Sequence, residues 1–368
     1  MIRAATSADI PALHQMEQRC FQGDRIGTRS FRYLISRAHA RVLVSESAGS
    51  LQGYVVVLFR RGVSMARLYS IAVDETARGQ GVAADLVGAA EQAALDEGVV
   101  EMRLEVRQDN TASQQLFRGL GYRPFGTYAR YYEDAADALR YHRYLTPARP
   151  PTLAAMPYYA QTLDFTCGPA CLMMAMNSLQ PGCTMDRRLE LRLWRESTTV
   201  FMTTGHGGCG PHGLALAAHR RGFPVSLLLA SEGPLFLSSV RSSRKRSVMQ
   251  LVQEDFIEEA TEQGIARTIA PVRPQDLAAA REQGTVPLVL ISSFRLYGEK
   301  SPHWVVMNGM DERFVYLMDP FVDEAGGRST TDCLNMPVPV AEFDRMARYG
   351  RSGEQAAVLV RSPERLDA

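Results

Sequence analysis

Apolar positions along the chain follow two periods. Ile10, Leu13 and Met16 recur at helical spacing behind Thr6, Ser7 and Asp9, any of which can cap a helix. Apolar runs then predict strands at 41–45, 53–59 and 66–73, the last two joined by the turn "RRG". The helical period returns over 82–97 and stops at Gly98. The strand "MRLEV" follows, then a helix from Asn110 to Leu120 that Gly121 ends. Two β-rich segments, "YRPFGTYARYY" and "DALRYHRYL", complete this half. Antiparallel strands first and alternating helices later predict an α/β domain over residues 1–145.

The pattern breaks at "TPARPPTLAAMP", residues 146–157, where four prolines and no period predict a stiff linker. Over 158–368 the order changes. Helices come first, at 167–179, 186–196 and 211–221, with the Ser/Thr/Gly-rich loop "STTVFMTTGHGGCGP" ahead of the third. Strands follow at 223–229, 286–293, 303–309 and 313–319, interrupted by helices near 247–263 and 274–283. This order predicts an α+β domain with two lobes.

Composition adds bounds rather than identity. A chain of 368 residues exceeds what one core usually supports, which agrees with two domains. A net charge of +1 gives no global attraction to nucleic acid or to an anionic membrane. No apolar run approaches the roughly 20 residues that span a bilayer. The polar, mixed-charge start "MIRAATSADIPALHQMEQRC" is not a secretory signal. Six cysteines (20, 167, 171, 183, 209 and 333) without such a signal predict reduced thiols in the cytoplasm. "RSSRKR", ahead of "QEDFIEEATEQ", reads as part of a solvated helix carrying both charge signs, not a nucleic-acid patch.

The sharpest chemical feature is "QTLDFTCGPACLMMAM", residues 161–176. Pro169 suits the first turn of a helix, which places Cys167 just ahead of one. Residues 170–176 are apolar on every side, so that helix must be buried. A thiol at the positive end of a buried helix is poised to act as a thiolate nucleophile. A buried cysteine is more often mere packing, so a base has to be found. His14, His39 and His142 fall in the first half, leaving His206, His212, His219 and His303. Residues 303–320 read as a hairpin; centred on Asp311, it sets His303 directly opposite Asp319, with Cβ atoms about 4.5–5.5 Å apart. Gln161 can offer a side-chain N–H to an oxyanion beside the Cys167 backbone N–H. His206, Cys209 and His212 have ligand-like spacing, but no fourth ligand is evident, so no metal is expected. Cys171 and the methionines of "LMMAM" read as core.

In the first half, "ARGQGVAADL" is a glycine loop between a strand and a helix, where backbone N–H groups can cradle a phosphate. No Gly-Lys-Ser/Thr follows, so it is not a P-loop. Gly79-x-Gly81-x-x-Ala84 fits the dinucleotide fingerprint, yet it arrives after antiparallel strands. A tight turn without a ligand stays open on the motif alone. Glu105 lies between inward-facing Leu104 and Val106, so it points to the opposite face. It is either a general base or a solvated carboxylate between Arg103 and Arg107.

Four ordered motifs, "LYSIAVDETARGQGVAADLV", "MRLEVRQDN", "NTASQQLFRGLGY" and "YARYYEDAADALRYHR", together resemble the GNAT acetyltransferases, in the branch that acetylates protein N-termini such as those of ribosomal proteins. The resemblance implies the GNAT fold and acetyl-CoA as cofactor. It places the cofactor's pyrophosphate on the Arg78, Gly79, Gln80, Gly81, Val82 and Ala83 loop, with Ala72 and Val73 from the preceding strand and Asn110 also binding the cofactor. It makes Glu105 the relay for the amine's proton and lines the acceptor groove with Tyr131 and Tyr132. The family usually has a tyrosine seven residues after the asparagine to protonate the leaving thiolate. Phe117 stands there, so that task falls to Tyr122, Tyr128, Tyr131 or water.

"QTLDFTCGPACL", followed downstream by "HWVVMNG" and "YLMDP", resembles the papain-like cysteine peptidases that cleave double-glycine leaders from bacteriocin precursors. This implies a papain-like fold with Cys167 as nucleophile, His303 as base and acid, Asp319 as orienter and Gln161 in the oxyanion hole. Those peptidases usually sit on a membrane exporter, and no such segment is seen here. The joint expectation is a bifunctional enzyme acting on a peptide or protein, acetylating an amine and cleaving or transferring an amide. The alternatives are a weakly catalytic peptide-binding or regulatory protein, and ligation in place of hydrolysis.

Overall fold

The apolar faces close around two separate seven-stranded sheets in the computed structural model, which describes residues 1–147, 152–202, 205–323 and 328–363. The chain divides into two units, 1–149 and 150–368. Of the predicted linker 146–157, residues 148–151 lie outside the described residues.

The first unit runs β1 (Ile2–Ala4), α1 (Ile10–Cys20), α2 (Thr28–Ser36), β2 (Ala40–Ser47), β3 (Ser50–Phe59), β4 (Met65–Val73), α3 (Val82–Asp96), β5 (Glu101–Arg107), α4 (Thr111–Gly119), β6 (Arg123–Tyr128) and β7 (Ala138–Tyr144). Its strand order is β1-β2-β3-β4-β5-β7-β6. Only β4 and β5 pair in parallel, and only from Met65–Arg67 to Glu101–Arg103. Past that point the two strands share no ladder, which leaves a gap in the sheet between Leu68–Val73 and Leu104–Arg107. On one face Met102, Leu104 and Val106 pack with α3 and Phe117; on the other Val42, Val44, Tyr54 and Val56 pack with α1 and α2. The sequence pattern missed β1 and α2. In α2 only Phe31 and Leu34 are buried, too few to display a period.

The second unit runs α5 (Cys167–Leu179), α6 (Arg187–Ser197), β8 (Phe201–Met202), β9 (Gly205–His206), α7 (Pro211–His219), β10 (Val225–Leu229), α8 (Ser243–Glu262), β11 (Ala266–Ile269), α9 (Pro274–Glu282), β12 (Val286–Ser292), α10 (Phe294–Tyr297), β13 (Pro302–Met310), β14 (Phe314–Met318), β15 (Met336–Pro339), α11 (Val340–Met346) and β16 (Ala356–Val360). The large sheet has the order β11-β10-β16-β12-β13-β14-β15 and is antiparallel except between β10 and β11. The apolar helix α5 packs on β12 and β13. No pattern marked β11, α10, β15, α11 or β16. "AAVLV" of β16 is a five-residue apolar run, too short for periodicity to classify, yet it lies between β10 and β12.

Two expectations need correction. Cys167 is the first residue of α5, not the residue ahead of it: Thr166 is the N-cap, and its carbonyl accepts from the Ala170 N–H at 3.0 Å. The hairpin is not centred on Asp311. β13 pairs Val306 with Met318 and Met307 with Leu317, then slips at Asn308 and pairs Gly309 with Tyr316. Asp311 closes the turn through its own carboxylate, which accepts from the Arg313 and Phe314 N–H groups at 2.8 and 2.7 Å. The Asn308 bulge is pinned by bonds to Ala154 O and Asn335 Oδ1. The register is therefore two residues from the expected one, and His303 does not face Asp319 squarely.

Helices α6 and α7 meet backbone to backbone: a Cβ on Gly213 would come within 2.7 Å of Ser197 Cα. Gly213→Ala is expected to cost about 1–3 kcal/mol. Gly88, exposed on α3 with nothing within 4 Å of its Cβ position, is the contrast; Gly88→Ala is expected to gain roughly 0.5–1 kcal/mol. Thermal denaturation reads both, and shifts of the same sign would refute the close helix contact.

Candidate functional site

The buried thiol of Cys167 opens α5, where the helix dipole is positive. His303, on β13 opposite Ile291, places Nε2 2.7 Å from Asp319 Oδ1. The Cys167 thiol is close enough to the ring to act on its charge. The two-residue slip does not separate the pair. Side chains on a strand repeat with period two, so Asp319 becomes a diagonal neighbour on the same face, still within reach of a histidine.

Asp319 is fully buried and its carboxylate is met from three sides. Besides His303, the Tyr297 hydroxyl donates to Oδ2 and the Phe321 N–H donates to Oδ1 at 3.0 Å. Its backbone is also held: its N–H donates to Cys333 O at 2.9 Å, and Tyr158 donates to its carbonyl at 2.8 Å. Burial alone would drive the His303 imidazole toward neutrality. The Asp319 carboxylate outweighs that, with the thiol adding, and lifts its pKa to about 10. An imidazolium beside a thiol is the setting in which thiolates are stabilised.

Gln161 arrives beside this group by its backbone, whose N–H donates to Pro320 O at 2.8 Å. Its side-chain Nε2 donates to Leu163 O at 2.8 Å, leaving one N–H of that amide uncommitted, while Oε1 is buried without a partner. The segment between Gln161 and Cys167 is tied down by the buried carboxylate of Glu190, which accepts from the Thr162 N–H at 2.8 Å and from the Tyr159, Thr162 and Thr166 hydroxyls. Sequence reasoning missed Tyr297, Phe321 and Glu190. Their task is polar contact across loops, and no periodicity announces it.

The histidine–cysteine loop goes elsewhere. His206 stacks on Phe165 at 4.7 Å, Cys209 accepts from the Ser197 hydroxyl at 3.2 Å, and burial lowers His212 to about 4. Among the described residues no group of three His, Cys, Asp or Glu side chains could hold a metal. Cys171 donates to Trp304 O at 3.2 Å, and burial pushes its thiol upward.

In the first unit, Gly79 and Gly81 have φ of 77° and 83°, in the left-handed region, and a Cβ at either would meet nothing within 4 Å. The loop thus borders open space at the N-terminus of α3, whose cap, Gly81, offers no side-chain acceptor. Backbone N–H groups at the start of a helix suit a diphosphate. Ala72 and Val73 lie on the β4 edge that flanks the gap, opposite the edge paired with β3. Gln80 donates to Thr76 O, and exposed Arg78 donates to Val73 O at 3.4 Å. Val82 and Ala83 open α3. Asn110 caps α4 through Oδ1, which accepts from the Ser113 N–H.

Glu105 is not a solvated carboxylate. Its side chain is 4% exposed, and Arg67 Nε donates to Oε2 at 2.8 Å. Arg67 also donates to the Tyr131 hydroxyl, and Tyr131 packs between Tyr128 and Tyr132 with ring centroids 5.0 Å away on each side. Phe117 is core, edge-on to Tyr122. Tyr122 is itself buried and donates to Glu91 at 2.9 Å, so it is unsuited to the acid role.

Comparison with known proteins divides at the same place. Residues 156–361 match the model of the Peptidase_C39 like family, and residues 10–122 match that of the acetyltransferase (GNAT) family. Over 146 residues the chain is 32% identical to the N-alpha-acetyltransferase RimI of Mycobacterium tuberculosis, covering 39% of this chain and 90% of that protein. Over 139 residues it is 27% identical to a protein of Bacillus subtilis named as a ribosomal protein bS18-alanine N-acetyltransferase, covering 38% and 91%. A similar solved structure is the ribosomal-protein-S18-alanine N-acetyltransferase from Escherichia coli, at 23% identity and a TM-score of 0.37, over 41% of this chain and 97% of that one.

Asp319→Asn removes the charge that does most to lift His303 and leaves the smaller influence of the thiol against the burial that lowers it. Alkylation of Cys167 by iodoacetamide is expected to stay fast down to pH 6 in the wild type. In Asp319→Asn it should be slow at pH 6–7 relative to pH 9. The pair's contribution to stability is full below the ordinary imidazole value of 6.5 and fades as pH rises through about 10. Identical alkylation profiles for the two proteins would refute the coupling.

Proposed function

The chain belongs to the Peptidase_C39 like family through residues 156–361 and to the GNAT acetyltransferases through its N-terminal half, and we propose that it joins two acyl-transfer centres acting on peptide or protein substrates. The N-terminal domain is an acetyltransferase, and acetyl-CoA is its cofactor. The domains are proposed to span 1–145 and 158–368, with 146–157 between them. Among the described residues no helix is long and apolar enough to cross a membrane. The proposed setting is the cytoplasm, where the six free thiols stay reduced.

In the first centre, the Arg78–Ala83 loop and the N-terminus of α3 would hold the cofactor's diphosphate. Ala72 and Val73 would hold its arm through the free β4 edge, and Asn110 through Nδ2. The bound cofactor supplies an acetyl thioester. Glu105 takes the proton of the attacking ammonium, and for that Arg67 must share the carboxylate it now holds. Tyr131 and Tyr132 line the acceptor groove, and with Tyr122 tied to Glu91 the hydroxyls of Tyr128 and Tyr131 remain as donors. The acceptor is proposed to be a peptide amine, the substrate class named for the bacterial relatives.

In the second centre, the Cys167 sulfur attacks an amide carbonyl. The developing oxyanion lies near the Cys167 backbone N–H and the uncommitted N–H of Gln161. His303, charged before the reaction, gives its proton to the departing nitrogen, and Asp319 holds the ring. Water or a second amine then releases the acyl group from sulfur, giving cleavage or transfer. The buried 2.7 Å contact between His303 and Asp319, facing Cys167, carries this assignment. Phe117 favours a second reading for the first centre alone, an acyl-CoA-binding recognition module with weak turnover.

A limiting dose of a peptidyl chloromethylketone is expected to give one adduct by intact-protein mass spectrometry, absent in Cys167→Ala. An adduct that survives on Cys171 or Cys209 would remove the nucleophile assignment. Glu105→Gln is expected to lower kcat for peptide acetylation about 10²-fold or more, with acetyl-CoA binding retained. An unchanged rate would show that another group carries the proton.

A further inference from the structure

The sheet face that bears Glu105 also bears a dense set of charges. Side chains alternate along β5, so Glu101, Arg103, Glu105 and Arg107 share that face, and their partners on β7 are Tyr144, His142, Arg140 and Ala138. Glu101 is taken by Arg103, through bonds of 2.9 and 2.8 Å, and by His142 Nδ1 at 3.0 Å. Glu105 is taken by Arg67, and Arg107 holds Asp109 and Asp134. Arg140, directly across the ladder from Glu105, is different. No hydrogen bond or ion pair joins its guanidinium to any described residue, and its Nε is shut away from water without an acceptor. Its guanidinium lies 5.1 Å from the Phe125 ring centre and close to Gly126, where a Cβ would fall 2.5 Å from its terminal nitrogen. Burial and the nearby Arg103 disfavour its charge, and Glu105 opposes them.

A guanidinium fixed between an aromatic ring and a glycine backbone is a preorganised fork for a carboxylate, and a half-buried one gains more from that partner than an exposed one. We propose that Arg140 binds a carboxylate of the acetyl acceptor, so that the first unit selects amines carrying an acidic group close to the reacting nitrogen. This rests on the reading that the acceptor lies beside Glu105. Residues directly opposed across a ladder have Cβ atoms about 4.5–5.5 Å apart. An amine at Glu105 and a carboxylate at Arg140 are therefore separated by no more than one or two residues of peptide. Arg67 neutralises Glu105 and relieves its repulsion of that carboxylate. Gly126 leaves room for the fork, since a Cβ there would displace it.

The test uses the full-length protein with acetyl-CoA and N-terminal peptides that differ only in Glu or Gln at the first or second position, with free glutamate as a separate acceptor. The wild type is expected to show kcat/KM at least tenfold higher for one of the Glu peptides. Arg140→Gln should bring the Glu-to-Gln ratio to about one, and Arg140→Lys should keep part of it. Preferential acetylation of free glutamate, with the same dependence on Arg140, would support the carboxylate anchor and name an amino acid as its source. Equal rates for Glu and Gln peptides, or a ratio that survives Arg140→Gln, would overturn it. Calorimetric titration of the same peptides into the acetyl-CoA-loaded protein separates this outcome from an inactive enzyme. Without turnover, tighter binding of the Glu peptide that is lost in Arg140→Gln still supports the anchor, and indistinguishable affinities overturn it.

Discussion

A carboxylate that water does not reach must find its donors inside the fold, and much of the second unit's sheet edge is arranged to supply them to Asp319. Three donors converge on its two oxygens from β13, from α10 and from its own loop, and Cys333 and Tyr158 fix its backbone. Arg328 lies 4.5 Å over the Tyr297 ring, which holds that phenol against the carboxylate. Buried ion pairs are poor sources of stability, because desolvating both charges offsets most of their attraction. A pair so thoroughly provided for is better explained by what it does to the thiol beside it. The register slip at Asn308 belongs to the same arrangement, since it sets Asp319 diagonal to His303 and lets the ring point past the sheet toward α5.

The first unit uses charge pairing on a sheet face in another way. Its β4–β5 gap, proposed above to admit the cofactor, opens because the ladder stops at Arg67 and Arg103, and both guanidiniums are anchored by carboxylates of β5. Glu105 neutralises Arg67 in the resting protein, and on the function proposed above it would also take a proton at the mouth of the gap. Exchange between those duties needs only a change of hydrogen-bond partner.

How far the sequence disclosed this depended on the kind of interaction involved. Helix α5 was legible because Pro169 and seven apolar residues permit little else. The His303–Asp319 pair was legible from a hairpin assumed to be symmetric. The register was wrong by two residues, and the pairing survived because an even slip keeps a side chain on its face. A slip of one would have lost it. Tyr297, Phe321 and Glu190 were illegible, since each acts through a loop whose path depends on the finished fold. β16 was illegible for a simpler reason: five apolar residues have no measurable period. Glu105 was placed on the right face, but its partner Arg67 lies 38 residues away on a different strand and no local pattern links them.

On the function proposed above, the two centres would also divide their proton donors as their leaving groups demand. A thiol is a far stronger acid than an amine, so a departing thiolate leaves at neutral pH without much help. A departing amide nitrogen does not leave unless it is protonated. Phe117 occupies the position where a tyrosine would protonate the thiolate, and this withholds a donor from the reaction that needs it less. In the second centre the Asp319 carboxylate holds the His303 imidazole charged near the Cys167 thiol, where the proposed reaction would need a proton. General-acid help is worth about 10²–10⁴-fold where it is required. On that reading the buried Asp319 carboxylate serves the centre where such a factor would decide whether the reaction runs.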